Sequence, residues 1–150
     1  MYKILVPTDG SEISQQAVKQ GMVFAKALNA KVFGLHVIPK FHAVTEKMDE
    51  GFEVPTSPAL KKRVDEESKA RAREILAPVE EEAKGAGLEC ECIVETNDAV
   101  YEEILDAARK KNCDLIIMAS HGHAGVTGLL LGSETAKVLT HAKLPVLILR

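Results

Sequence analysis

The sequence predicts an α/β fold: a Rossmann-like, open, doubly wound sheet of five mainly parallel strands with helices on both faces. Two observations predict it. Short runs rich in Val, Ile and Leu alternate with longer stretches of helical period, and strand–helix–strand repetition means parallel pairing through right-handed crossovers. The run CDLIIMAS (113–120) is also apolar without alternation at its centre, as a strand covered on both faces must be.

Each element has its own signal. YKILV (2–6) reads as a buried strand, ended by Pro7 and Gly10. From Glu12 to about Asn29, Ala17, Gly21, Phe24, Ala25 and Leu28 form one stripe along a helix. KVFGLHVI (31–38) is a second strand, stopped by Pro39. Residues 40–58 have two prolines and no clear period, and read as an excursion from the sheet. A charged helix over 60–85 turns Val64, Ala72, Ile75, Leu76 and Val79 inward, with Pro78 expected to kink it or end its regular part. LECECIVE (88–95) is a third strand, and the helix over 99–112 directs Val100, Ile104 and Ala108 to the core. CDLIIMAS is the fourth strand; a helix at about 133–142 and the strand PVLIL (145–149) close the chain.

Composition narrows the function. The 150 residues are one domain's worth of chain, read as a single domain over 1–150. A net charge of −3 without a basic stripe argues against a nucleic-acid partner. No run reaches membrane-spanning length, and MYKILVPTDGSE is too short and polar for a signal peptide. The expected setting is a reducing cytoplasm, away from the membrane. Three cysteines argue against a disulfide framework. Cys90 and Cys92 alternate with acids and share a strand face, where packing is favoured over metal binding for want of a second ligand pair. His121 and His123 form H-x-H in a loop with no third ligand evident, so no metal site is assigned.

In a doubly wound sheet, ligands sit beyond the carboxyl ends of the strands where strand order reverses. The loops after strands one and four, PTDGS and SHGHAGVTGLLLGS, are therefore the place to look. The second holds Gly122, Gly125, Gly128 and Gly132 and feeds a helix opening at Ser133. Its backbone N–H groups can converge on an anion, helped by the helix N-terminus, and Ser133 can cap that helix or donate to a phosphate. It matches neither G-x-x-x-x-G-K-[ST] nor G-x-G-x-x-G. On spacing alone, a phosphate cradle and a plain βα connection both stay open.

ILVPTDGSE, LHVI, DLIIMASHG with LLLGS, and PVLILR, in that order along essentially the whole chain, resemble the universal stress protein family. The resemblance implies the fold read above, dimers made through strand 145–149, an unknown protein partner, and in one branch ATP binding through G-x-x-G, nine residues, then G-[ST]. On this chain the motif falls on Ala119, Gly122 and Gly132–Ser133, with HAGVTGLLL between. Ala119 departs from the family's glycine, and His123 stands where Arg or Lys is frequent. The implied nucleotide contacts are Pro7, Thr8, Asp9, Val37 through its backbone, Met118, Ala119, Ser120, Gly122, His123, Gly132, Ser133 and Glu134. Glu134 must point away from a bound triphosphate. The cofactor implied is ATP with magnesium. By the residues alone, Asp9 in DGS also reads as a turn acceptor, and Val37 and Met118 as core.

Phosphoryl transfer needs a metal clamp, charge stabilisation and a positioned nucleophile. No second acidic ligand or arginine stands near the glycine loop in sequence, and S-G-G-x-D-S and H-x-G-H are missing. No catalytic residue is assigned. The expectation is a nucleotide-dependent regulatory or interaction protein acting in stress response rather than an enzyme. A stress protein without nucleotide and a slow ATP-hydrolysing enzyme remain the alternatives.

Overall fold

The expected strands form one sheet in the computed structural model of the chain, which describes residues 1–40, 57–122 and 130–150. In chain order the elements are β1 (Lys3–Pro7), α1 (Glu12–Ala27), β2 (Lys31–Ile38), α2 (Pro58–Gly85), β3 (Cys90–Thr96), α3 (Val100–Lys110), β4 (Leu115–Ala119), α4 (Ser133–His141) and β5 (Val146–Leu149). The sheet order is β3-β2-β1-β4-β5, and every pairing is parallel. The chain winds outward from β1 in one direction through β2 and β3. It then returns to the other side of β1 for β4 and β5. Strand order therefore reverses between β1 and β4.

Alternate residues of each central strand feed two cores, one per face. Ile4, Val6, Val32 and Ile117 pack with Val18, Met22 and Ala25 of α1 and with Leu76, Val79 and Ala83 of α2. Leu5, Phe33, Leu35 and Met118 pack with Ile104 and Ala108 of α3 and Val138 of α4. Helices on both faces remove the whole inner sheet from water, which is why β4 carries no polar alternation.

The helix ends are marked by residue type. Ser11 caps α1 by accepting from Ser14 N, and Ser57 caps α2 by accepting from Leu60 N, each at 3.2 Å. Asn29, Gly87 and Asn112 take left-handed φ values of 49°, 72° and 53° just past α1, α2 and α3, the conformation that closes a helix C-terminus.

Three expectations change. Phe24 and Leu28 are 44% and 41% exposed; Ser14, Val18 and Met22 share the buried face of α1 with Ala17, Gly21 and Ala25. Of the two outcomes expected at Pro78, an end to the regular helix is not seen: the helix runs through it to Gly85, the end its period predicts, with Leu76 and Val79 both buried. It also starts at Pro58, where proline suits a first turn. The rest of the excursion, 41–56, lies outside the described residues.

Candidate functional site

The first loop is built by β1 leaving the sheet. Thr8 N still donates to Leu35 O at 2.9 Å, but the chain then turns through Gly10 at φ +79°, a conformation that favours glycine. Asp9 Oδ1 accepts from Ser11 N at 3.0 Å and from Ser14 Oγ at 2.8 Å. Thr8 Oγ1 accepts from Gly10 N at 3.2 Å. Asp9 is thus the turn acceptor that DGS suggests, and one of its oxygens is committed to the start of α1. Thr8 is buried.

The second loop leaves β4 at Ala119. Ser120 is buried, its N–H donates to Leu149 O at 2.9 Å, and its hydroxyl shares a hydrogen with His121 Nδ1 at 3.0 Å. Gly122 lies directly against the Asp9 carboxylate; a Cβ there would overlap Oδ2. At the far end of the loop, Gly132 N donates to Ser120 O at 2.7 Å. A Cβ on Gly132 would lie 3.2 Å from His121 Cα. The loop's two ends are therefore drawn together, and one of them is pressed onto the Asp9 turn. Neither glycine has a φ in the left-handed region; a Cβ on Gly122 would displace the Asp9 carboxylate, and one on Gly132 would press on His121 Cα and Ser120 O, at 3.2 and 3.3 Å.

The N-terminus of α4 completes the arrangement. Gly132, not Ser133, is the N-cap residue, and no side-chain hydrogen bond caps the helix among the described residues. Ser133 stands one residue inside, at the first helical position. Thr135 Oγ1 donates to Ala119 O at 3.0 Å, tying the first turn to the end of β4. Glu134 turns toward α3: its Oε2 accepts from Tyr101 N at 2.9 Å and its Oε1 lies 3.5 Å from Lys137 Nζ. Ala99, the N-cap residue of α3, supplies no side-chain bond, so the α4 carboxylate does that work.

The other expected site residues fall as follows. Pro7 ends β1; Val37 and Met118 are buried in the α3/α4 core. Ala119 is buried and does not have positive φ, so alanine stands there without backbone strain. His123 lies outside the described residues, as do Gly125 and Gly128. The site thus brings together Asp9 with Gly122, and Ser120 and His121 with Gly132. Sequence reasoning missed His36, whose Nδ1 lies 2.9 Å from Thr8 O. Its only signal was its place beside Val37 in LHVI.

Cys90 and Cys92 pack against the α1/α2 core as their alternation suggests. The Cys92 thiol donates to Leu76 O at 3.9 Å; the neighbouring Cys92 draws the Cys90 thiol down, while Cys90 and burial push Cys92 up. Among the described residues, no group of three His, Cys, Asp or Glu side chains could hold a metal ion. None of the described helices is long and apolar enough to cross a membrane.

The universal stress protein family model matches residues 1–150. The chain belongs to the universal stress protein family. This stress protein is 31% identical to universal stress protein MJ0531 of Methanocaldococcus jannaschii, over 99% of the chain and 81% of that protein. It is 32% identical to universal stress protein MJ0577 of the same archaeon, over 100% of the chain and 96% of the relative. The solved MJ0577 structure shares the stress protein's fold with a TM-score of 0.73 at 31% identity, covering 99% and 94% of the two chains. A universal stress protein solved in complex with cAMP has the same fold, with a TM-score of 0.69 at 24% identity over 99% and 96% of the chains.

Proposed function

We propose that this universal stress protein binds ATP, with magnesium, in the crevice where β1 and β4 diverge, and that the occupied protein acts as a dimeric regulator read by a partner. One observation carries the reading. At the reversal of strand order, the Asp9 turn meets the glycine loop, and both ends of that loop converge on an α4 N-terminus without a side-chain cap. Such an N-terminus offers backbone donors and partial positive charge to a phosphate.

The residues fit the nucleotide. Gly122, Gly132 and Ser133 would serve the phosphates, with Ala119 and Ser120 at their base; His123, outside the described residues, is assigned to them by the family motif alone. Thr8 and Asp9 serve the ribose and base edge, with Pro7, Val37 and Met118 forming the wall. Glu134 would repel a triphosphate if it faced the loop, but its carboxylate is bonded to Tyr101 N. Universal stress proteins of this fold have been solved with cAMP and with dAMP, and they supply a precedent for the ligand class. In the sequence no Ser or Cys stands at motif spacing from a base and orienter, and binding rather than turnover is the reading proposed.

Calorimetry on nucleotide-free, metal-free protein tests the reading, and stoichiometric binding of ATP with magnesium is expected. Gly132→Val with Ser133→Ala should abolish it while the circular dichroism spectrum stays unchanged. Each lost hydrogen bond to charged phosphate is worth roughly 1.5–3 kcal/mol. Unaltered affinity in the folded double variant would remove the phosphates from this loop. A second reading has its own support, because the packing of Gly122 and Gly132 already explains both glycines. Acid extraction of purified protein that releases no nucleotide, with no binding by calorimetry, would favour a stress protein that works without one.

A further inference from the structure

His36 is a half-buried imidazole with no part in the nucleotide reading, and it sits at the last rung of the β1–β2 ladder. The paired residues end at Pro7 and Leu35, and Thr8 N makes one bond more, to Leu35 O at 2.9 Å. The parallel pattern dictates what should follow: the Thr8 carbonyl accepts from the amide of Val37. That bond is not made. Thr8 O lies instead 2.9 Å from His36 Nδ1. A carbonyl only accepts, so Nδ1 carries the proton.

The direction of the Val37 amide follows from the neighbouring bonds. Val32 N donates to Glu89 O at 2.9 Å and Ile38 O accepts from Asn97 N at 3.0 Å. Even-numbered residues of β2 thus direct their backbone groups to β3. Leu35 and Val37 direct theirs to β1. Val37 is only 6% exposed, and among the described residues its N–H has no partner on that side. A buried backbone N–H in this condition is rare. It faces across the end of β1 toward the side where β4 and the glycine loop lie.

We infer that His36 is a positioning residue: by holding the Thr8 carbonyl, its imidazole keeps the Val37 N–H out of the ladder and open, beside a Val37 C=O that loses its ladder partner because Gly10 N donates to Thr8 Oγ1, to the donor–acceptor edge of a planar heterocycle. The part concerning the heterocycle rests on the nucleotide reading above and identifies it with the base of that nucleotide. The part concerning the ladder stands on geometry alone. Without the imidazole, the buried Thr8 carbonyl would lose its partner, and the Val37 amide is the next donor along the ladder. Removing His36 therefore closes the ladder onto the recognition edge.

The experiment uses labelled, ligand-free protein and the through-hydrogen-bond coupling between the Val37 amide nitrogen and the Thr8 carbonyl carbon. The coupling is expected to be absent in the wild type and present in His36→Leu. It should be absent again in His36→Asn, whose side-chain N–H takes the place of Nδ1. Calorimetry with ATP should show about three- to tenfold weaker binding in His36→Leu, one hydrogen bond's worth, and recovery in His36→Asn. Should the leucine variant not fold, His36→Gln, whose donor sits nearer the Nε2 position, carries the same expectation as leucine. A Val37–Thr8 coupling in the wild type overturns the inference, as does a folded His36→Leu that binds ATP like the wild type. If the wild type binds no nucleotide but the couplings follow the expected pattern, the nucleotide reading fails and the role of His36 in the ladder stands.

Discussion

At the scale of single residues, the candidate site shows side chains working for elements other than their own. Glu134 belongs to the first turn of α4, yet its carboxylate satisfies Tyr101 N at the start of α3. Lys137 and His141, one and two turns on, lie by the Tyr101 ring, at 5.7 Å and 5.2 Å from its centroid. Truncation by Glu134→Ala should cost about 1 kcal/mol, as for other lost caps, and lower the melting temperature by roughly 3 °C. Glu134→Gln, which keeps an acceptor oxygen, should recover part of that loss in thermal unfolding. Equal melting temperatures for the alanine variant and the wild type would remove the cap from the account. The sequence placed Glu134 beside the expected phosphates and required it to point away, but it could not show where the carboxylate would go. A bond between residues 101 and 134 has no local period to betray it. Ser133 failed as a cap for a smaller reason: Gly132, one position earlier, takes the extended backbone that a cap needs.

Among the elements, β3 is the edge strand held most visibly by charge. Glu91 accepts from Lys111 Nζ at 2.6 Å, just past the end of α3, and lies 3.6 Å from Lys31 Nζ on β2. Both ammonium groups also stand over the Phe33 ring, at 5.1 Å for Lys31 and 5.6 Å for Lys111. The hydrogen bond from Lys111, followed by the charges of both lysines, holds the Glu91 carboxyl below its usual range. A carboxyl depressed in the folded state stabilises that state at neutral pH. The contribution is lost as pH falls from about 4.3 through the lowered value. Glu91→Gln should therefore melt slightly below the wild type at pH 7 in low salt. The difference should vanish once the pH has fallen through that lowered value, and it should shrink in high salt, because exposed pairs are screened. A gap that persists unchanged in acid would assign it to packing. The elements themselves were largely legible, since the strands and helices fall where apolar runs and helical periods place them. The stripe of α1 was misjudged because Phe24 and Leu28 repeat at helical spacing as faithfully as Val18 and Met22. Periodicity gives a stripe its pitch; only the sheet decides which stripe is buried.

For the whole molecule, the edge at β5 is where the proposed dimer would form. Ile116 N donates to Pro145 O and Ser120 N to Leu149 O, so odd-numbered residues of this segment turn their backbone groups toward β4. Those of Val146 and Ile148 face outward and are available to a second strand. A dimer built there should be broken by Ile148→Pro, which deletes an outward N–H while removing no bond to β4. Sedimentation should give a dimer for the wild type and a monomer for the variant. A wild-type monomer at micromolar concentration would contradict the expected pairing. The architecture was legible because strand–helix alternation allows few topologies, and the reversal rule then pointed to the loops after β1 and β4 as the candidate site. What remained hidden was the contact across that reversal, where Gly122 closes on Asp9. Those residues are far apart in the chain, and only the completed fold brings them together.

The central place of β1 also sets an order of events in time. Lys3 meets Lys31 on one side early in the chain, whereas on the other side Ile4 must wait for Leu115. A ribosome therefore releases the first strand long before its second neighbour exists. The crevice between β1 and β4 has no floor until most of the polypeptide has emerged, and its α4 wall comes later still. A nascent chain has no such crevice, so the occupancy proposed above would report a finished molecule. A ligand seated there would bridge the latest-made half of the sheet to the earliest, and would slow their separation more than it hastens their joining.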